Sequence, residues 1–185
     1  MGTIAHRSRI VVPVSHCLLN PNSKVLSSAV SWSEIMPLTN YLLSIGAGLY
    51  QLPCPEQTYL GCNRWGQSKE QYDNPYYRDH CRIILKQVLN DLNEYSHNSY
   101  IIPCLLGIKG SPSCGIDHTF SAPWAGEMLN AEAGQNPGSI LPGSGVFMEE
   151  ISDMLSSLDL DIPLVEVDEK DIEGTINKLK CIIAG

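Results

Sequence analysis

Short apolar runs and longer amphipathic stretches alternate along the chain. Apolar runs of five to eight residues, bounded by polar or turn-forming residues, are typical of strands buried within a parallel sheet. Each run here is followed by a stretch rich in Pro, Gly, Asn or Ser. The predicted strands lie at residues 9–15, 48–52, 99–106 and 163–167.

Helical spacing of apolar residues fills most of the chain between these strands. Ser33 is predicted to cap the first helix, which Gly46 ends, and Asp168 is predicted to cap the last. The other helices are expected at residues 77–95 and 148–158, with a further short helix at 127–133.

The order of these elements predicts the fold class. Strands that alternate with helices favour a parallel sheet with helices on both faces, a Rossmann-like three-layer sandwich. We expect one α/β domain over residues 1–185, because no internal repeat or linker divides the chain. Residues 57–77 follow neither period and are rich in Tyr, Asn, Gly and Gln. They predict a long loop inserted as a lid.

Composition and charge narrow the possible partners. The formal net charge is −8, with 12 Lys and Arg against 20 Asp and Glu. Such a chain repels phosphate backbones, so we expect a small molecule rather than a nucleic-acid polymer. No apolar run reaches the length of a membrane span, and residues 1–9 lack the apolar stretch of a secretory signal. A cytoplasmic location and no membrane partner are therefore expected.

Three of the seven cysteines follow predicted strands. No two cysteines have the C-x-x-C spacing, which removes the zinc ribbon and the thioredoxin-type motif. Cys17 follows the first strand, Cys54 the second, and Cys114 the third by one short loop. Ligands of open parallel sheets bind beyond the carboxyl ends of the strands. We therefore expect the three cysteines to converge at one edge of the sheet.

Three converging thiolates form a soft donor set. Such a set can bind zinc, copper or an iron–sulfur cluster. A cubane cluster usually has four cysteine ligands, so three would leave one iron open to substrate. An open coordination position is typical of catalytic metal sites. The alternative is that these cysteines are ordinary buried thiols.

Polar residues near Cys54 and Cys114 are candidates for catalysis. Glu56 can act as a general base on water, or be no more than a carboxylate in the first turn of a helix. Lys109 can orient a substrate or balance charge, or be a solvated loop lysine. Ser111 and Ser113 can donate hydrogen bonds to substrate, or only hold the turn.

The predicted lid carries a second group of candidates. Arg64, Trp65, Tyr72 and Tyr76 can form a cationic and aromatic cover over a flat ring. The alternative is that they pack the lid onto the core.

Other reactive side chains carry weaker signals. His16 and Cys17 are adjacent and point to opposite faces, so His16 is a poor activator of a Cys17 nucleophile. Asp117 and His118 form an isolated pair without a recognisable motif. The remaining cysteines are expected to be structural; they are Cys62, Cys81, Cys104 and Cys181. Cys62 lies in the predicted lid, so a role for it there stays open.

Three short motifs resemble the thiouracil desulfidase family. They are SHCLLN at residues 15–20, CPE at 54–56 and GSPSCG at 110–115. That family carries S-x-C-L-L-G, C-P-E and S-P-S-C-G in the same order. The stretch 59–78 resembles a desulfidase-related subgroup more than the founding members. Asn20 replaces the family's usual Gly, and residues 116–120 replace its tyrosine-bearing segment, so the thiolated substrate need not be thiouracil.

The resemblance implies a specific chemistry. Family members are single α/β domains with a [4Fe–4S] cluster on three cysteines, which correspond here to Cys17, Cys54 and Cys114. The fourth iron binds the sulfur of a small thiolated molecule as a Lewis acid and accepts the sulfide. Water activated by an acid, here Glu56, converts C=S to C=O, with Ser111 and Ser113 as hydrogen-bond donors.

Two other functions stay open from the sequence. One is a cluster-bearing sulfur carrier or binding protein without hydrolytic turnover. The other is a metal-free enzyme with a cysteine nucleophile, which needs a base beside the thiol. The oligomeric state has no signal in the sequence.

Overall fold

A computed structural model of the chain describes residues 7–25, 28, 30–122 and 138–184. The helix predicted at residues 127–133 lies outside these ranges. Within them, none of the helices is long and apolar enough to cross a membrane.

The described residues contain six strands arranged in two sheets. The strands are β1 (Val11–Val14), β2 (Gly48–Gln51), β3 (Leu105–Ile108), β4 (His118–Ser121), β5 (Ser139–Pro142) and β6 (Leu164–Val167). The central sheet is parallel throughout, in the order β2-β1-β3-β6. β4 and β5 form a separate antiparallel pair. The predicted α/β class is confirmed.

Helices cover the parallel sheet in two packed pairs. The helices are α1 (His16–Leu19), α2 (Trp32–Ser44), α3 (Pro55–Leu60), α4 (Lys69–Tyr72), α5 (Pro75–His97), α6 (Val146–Ser157) and α7 (Ile172–Ala184). α2 packs against α7, and α5 packs against α6, so that the sheet lies between helical layers. Helices join consecutive parallel strands because the chain must return to the same end of the sheet before the next strand begins.

The core lies around the two central strands. Every residue of β1 and β3 is buried, whereas β2 and β6 at the sheet edges are partly exposed. Leu85 and Leu92 of α5 and Ile35 and Leu38 of α2 are fully buried on the helix faces turned toward the sheet. The continuous apolar runs in the sequence arise from this burial on both faces.

Local capping shifts the starts of α2, α5 and α7 from their predicted positions. α7 begins at Ile172 and is capped by Asp171 rather than Asp168, since Asp171 Oδ1 accepts a hydrogen bond from Gly174 N at 2.9 Å. α2 is capped by Ser31 rather than Ser33: the Glu34 carboxylate accepts a hydrogen bond from the Ser31 amide at 2.8 Å in a capping box. α5 begins at Pro75 rather than at residue 77, because the Asn74 side chain accepts a hydrogen bond from Tyr77 N at 3.1 Å.

The third strand is also displaced from its predicted position. Only Leu105–Ile108 is a strand, and Ile101 forms an isolated bridge with Ile10. Pro103 lacks an N–H group, which interrupts ladder pairing between these two points. Cys104 therefore precedes the strand, in the buried core, instead of lying within it.

The sequence pattern predicts a long loop at residues 57–77, but the structure has helices in this segment. The segment contains the last part of α3, all of α4 and the first residues of α5, and residues 61–68 join α3 to α4. The β4–β5 pair was also missed. Most residues of β4 and all of β5 are at least partly exposed, so they form no continuous apolar run, and pairing between separate segments stabilises them. Movement of residues 57–77 as a lid stays a prediction.

Candidate functional site

The three candidate cysteines follow neighbouring strands of the parallel sheet. Cys17 lies in α1, directly after β1, and Cys54 precedes α3, just after β2. Cys114 lies in the loop between β3 and β4. β2, β1 and β3 are adjacent, so their carboxyl ends open at one edge of the sheet. All three cysteines line one cavity of about 580 Å³ at this edge.

The loop that carries Cys114 is held by backbone and side-chain hydrogen bonds. Ser111 Oγ accepts a hydrogen bond from Cys114 N at 2.9 Å, and Ile108 N donates to the Cys114 carbonyl at 2.8 Å. A Cβ atom on Gly115 would lie 2.2 Å from the carbonyl oxygen of His118. This close backbone approach requires glycine after the cysteine.

Burial raises the pKa of all three cavity thiols. It raises the pKa of Cys17 to about 12, against a smaller lowering by the Lys24 ammonium. It also raises the pKa of Cys54, which the Gln57 amide opposes by donating to Cys54 Sγ at 3.4 Å. The pKa of Cys114 is raised by burial and then by the negative charge that Cys17 and Cys54 carry as thiolates. A metal must therefore displace the thiol protons as it binds.

The donor set of the cavity consists of three thiols. Across the described part of the chain, no group of three or more His, Cys, Asp or Glu side chains could hold a metal ion as the side chains stand. A single zinc needs all its ligand atoms about 2.0–2.3 Å from one point. In an iron–sulfur cubane each cysteine binds a different iron, so the sulfurs stand farther apart. All seven cysteines are free thiols, which leaves Cys17, Cys54 and Cys114 available as soft ligands.

Glu56 reaches the cavity from the first turn of α3 and is held at both oxygens. Ser113 Oγ donates to Glu56 Oε1 at 2.6 Å, and Arg64 Nε lies 3.3 Å from Glu56 Oε2. Ser113 is fully buried, and the Glu56 side chain is 14% exposed. The structure thus brings Glu56 and Ser113 together beside Cys114, as a carboxylate of fixed orientation.

Arg64 connects the segment after α3 to the cysteine loops. Its Nη2 donates to the carbonyl of Ser23 at 2.7 Å and lies 3.9 Å from Cys54 Sγ. The side chain is only 5% exposed. Gly66 and Gln67 line the cavity as well, so this segment forms one of its walls.

The other predicted lid residues are not gathered over the cavity. Trp65 is 76% exposed and Tyr76 is 78% exposed, and neither lines the cavity. Tyr72 is buried and packs against Tyr77, with ring centroids 4.5 Å apart. Burial, and then the Glu56 charge, raise the pKa of Tyr72. The structure therefore does not gather these residues into a single aromatic cover: Tyr72 packs in the core, as in the alternative interpretation, and Trp65 and Tyr76 are exposed.

Lys109 and Ser111 both line the cavity and have other partners. Lys109 Nζ forms an ion pair with Asp168 Oδ2 at 2.8 Å, at a partly exposed position. The Ser111 hydroxyl accepts from the Cys114 amide and so holds the turn. Ser113, in contrast, lies between Glu56 and Cys114 Sγ, 3.7 Å from that sulfur.

Neither histidine candidate supplies a base to a cavity thiol. His16 Nδ1 lies 3.3 Å from the Leu52 carbonyl oxygen, and His118 Nδ1 lies 2.8 Å from Glu166 Oε1. Neither is among the described residues that line the cavity. Cys62, Cys81, Cys104 and Cys181 also lie outside that lining.

One cavity feature had no signal in the sequence. Lys24 and Glu169 form an ion pair in the cavity wall, with side chains 8% and 15% exposed. Lys24 follows α1 and Glu169 lies between β6 and α7, so only the sheet topology brings them together.

Fold and cavity define an α/β protein with a cysteine-lined cleft beyond the carboxyl ends of its parallel strands. The chain is 29% identical over 179 residues to the uncharacterized protein MJ0003 of Methanocaldococcus jannaschii. The aligned region covers 96% of this chain and 99% of that protein, so the similarity spans nearly the full length of both chains. No family model matches the chain. No solved structure matches it at a significant level.

Proposed function

We propose that this chain is a [4Fe–4S]-dependent desulfidase that removes sulfur from a small thiocarbonyl compound. The observation that carries the proposal is the meeting of three free thiols, from three strand ends, in one cavity with a fixed carboxylate. Cys17, Cys54 and Cys114 would hold the cluster. The motif resemblance to thiouracil desulfidases supports the same assignment.

The reaction is a hydrolysis without net electron transfer. Water adds its oxygen to the thiocarbonyl carbon, the C–S bond breaks, and the products are C=O and H₂S. The bound cluster supplies Lewis-acid polarisation of the substrate sulfur. Glu56 accepts the proton of the attacking water, and Ser113 keeps Glu56 Oε1 oriented at 2.6 Å.

Cavity size and charge support a small substrate. A volume of about 580 Å³ lies within the range of about 300–1,000 Å³ for small-molecule sites. The formal net charge of −8 disfavours a nucleic-acid polymer. We infer a small thiolated molecule as the partner, a single catalytic domain and a cytoplasmic location.

Anaerobic purification tests the metal site directly. We expect a brown protein with nearly equal iron and acid-labile sulfide, lost in Cys17→Ser, Cys54→Ser and Cys114→Ser. Cys181→Ser is the matched control, because Cys181 is exposed on α7 and away from the cavity. A colourless protein that resists reconstitution, or equal cluster loss in the control, would overturn the assignment.

Activity is then measured as sulfide release from thiouracil, thioamides and thionucleosides. We expect release by the wild type and loss of release in Glu56→Gln with iron content unchanged. If the loaded wild type releases sulfide from none of these compounds, this substrate class is wrong.

The contacts of Glu56 also favour one alternative, a sulfur carrier that binds a cluster without hydrolysis. The carboxylate is already engaged by Arg64 and Ser113, as expected for a structural contact. In that case the protein binds sulfide but forms no carbonyl product, and Glu56→Gln leaves sulfide binding unchanged.

A further inference from the structure

The Lys24–Glu169 ion pair is unusual for its burial. Lysine and glutamate are almost never fully buried unless paired, and here both side chains lie in the wall of the cysteine cavity. The two residues are 145 positions apart in the chain. Lys24 enters from the loop after Cys17, and Glu169 enters from the turn after β6.

Stability alone is a weak reason for this pair. The cost of removing two charges from water often exceeds their attraction, so an apolar pair of similar size would stabilise the fold as well. Glu169 Oε1 is buried and has no hydrogen-bond partner among the described residues. A lysine ammonium has three N–H donors, and the described contacts of Lys24 Nζ use one, toward Glu169.

The pair repeats an arrangement found at a second cysteine of the cavity. Beside Cys54, the cation is Arg64 and the carboxylate that holds it is Glu56. Lys24 and Glu169 form the same kind of pair in the wall of the cavity that Cys17 lines. The cavity thus contains two largely buried cations, each held in place by a carboxylate.

We infer that Lys24 is a charge-compensating residue for a cluster bound at Cys17, and that Glu169 positions it. This inference rests on the proposed function, because it requires the cluster. Three thiolates bring negative charge into a buried cavity, where charges interact strongly. A fixed ammonium beside Cys17 would stabilise the more negative, reduced state of the cluster.

The reduction potential of the cluster tests this inference without reference to activity. Lys24→Met removes a positive charge, so we expect a more negative midpoint potential in an EPR-monitored titration. Glu169→Gln removes a negative charge but keeps a carbonyl acceptor for Lys24, so we expect a more positive potential. Lys24→Arg keeps the charge and should restore a potential close to that of the wild type.

Lys170→Met is the matched control. Lys170 follows Glu169 and also lines the cavity, but it is exposed, so solvent screens its charge. We expect a smaller shift than in Lys24→Met. Loss of the cluster in Lys24→Met, with retention in Lys24→Arg and a native circular dichroism spectrum in both, also supports the inference.

The possible failures are distinguishable. If the wild type binds a cluster but Lys24→Met and Glu169→Gln leave its potential unchanged, or shift it in the same direction, the role of Lys24 is overturned and the proposed function stands. If the wild type binds no cluster, both are overturned.

Discussion

The hydrogen bond from Ser113 to Glu56 connects the Cys114 loop to α3, and its strength can be measured. Ser113→Ala removes a buried hydroxyl that donates to Glu56 Oε1 at 2.6 Å. Hydrogen bonds to charged groups contribute about 1.5–3 kcal/mol. Arg64 still faces the other carboxylate oxygen at 3.3 Å, so we expect a loss toward the lower end of this range.

A double-mutant cycle isolates this interaction from other effects of the substitutions. The free energies of unfolding of the wild type, Ser113→Ala, Glu56→Ala and the double variant are measured by urea titration of the iron-free protein. We expect a coupling energy of about 1–2 kcal/mol, since contacting residues show couplings of about 0.5–3 kcal/mol.

Ser144 provides a matched control for the cycle. Its hydroxyl donates to the Ile116 carbonyl at 2.7 Å, near the same loop but without a contact to Glu56. Ser144→Ala and Glu56→Ala should therefore be additive within about 0.5 kcal/mol. A coupling between Ser113 and Glu56 no larger than that of this control would refute the claim that Ser113 fixes the carboxylate.

Two further predictions concern the scaffold. Asp159 ends α6 at a φ of 52°, and Gly46 ends α2 at a φ of 77°. Left-handed backbone costs an L-residue about 1–2 kcal/mol, and the greater freedom of unfolded glycine offsets about 0.5–1 kcal/mol. Asp159→Gly should therefore stabilise the folded protein by about 0.5–1 kcal/mol and raise Tm by about 1–4 °C in calorimetry. Gly46→Ala should lower Tm. A fall in Tm for Asp159→Gly would contradict this reasoning. For Glu70, burial raises the pKa, but hydrogen bonds from the Ser121 hydroxyl and the Ala122 amide outweigh it and lower the pKa to about 2. The folded pKa lies below the ordinary 4.5, so the wild type should be more stable than Glu70→Gln above pH 4.5 and lose this advantage as the pH falls toward 2. Urea titrations at several pH values measure the difference. A difference that does not change with pH would exclude this origin.

The order of the parallel strands and long helices could be predicted because the central strands form continuous apolar runs and the long helices show their own period. β1 and β3 are apolar throughout because both faces are buried, and α5 carries Cys81, Leu85, Val88 and Leu92 on its buried face. Helix starts were less accurate, because capping depends on which of two nearby serines, Ser31 or Ser33, adopts extended backbone.

The convergence of the cysteines followed from a general rule of parallel sheets. Cys17, Cys54 and Cys114 come after strands that the topology makes adjacent, and ligands of such sheets bind beyond the carboxyl ends. The roles of Trp65 and Tyr76 could not be judged in this way. They lie near the cavity residues in sequence but on exposed surfaces, and their exposure depends on tertiary packing rather than on position in the chain.

By itself, the amino-acid sequence determined the α/β class, the order of the main strands and helices along the chain, and the position of three cysteines after strand ends. These features depend on local hydrophobic periods and on the fixed direction of parallel strands. Only the tertiary structure decided which polar and charged side chains meet in the cavity: Glu56 with Ser113 and Arg64, and Lys24 with Glu169. The contacts of Glu56 with Ser113 and of Lys24 with Glu169 join segments 57 and 145 positions apart in the chain, and the geometry of all three contacts depends on side-chain packing, to which no local period corresponds.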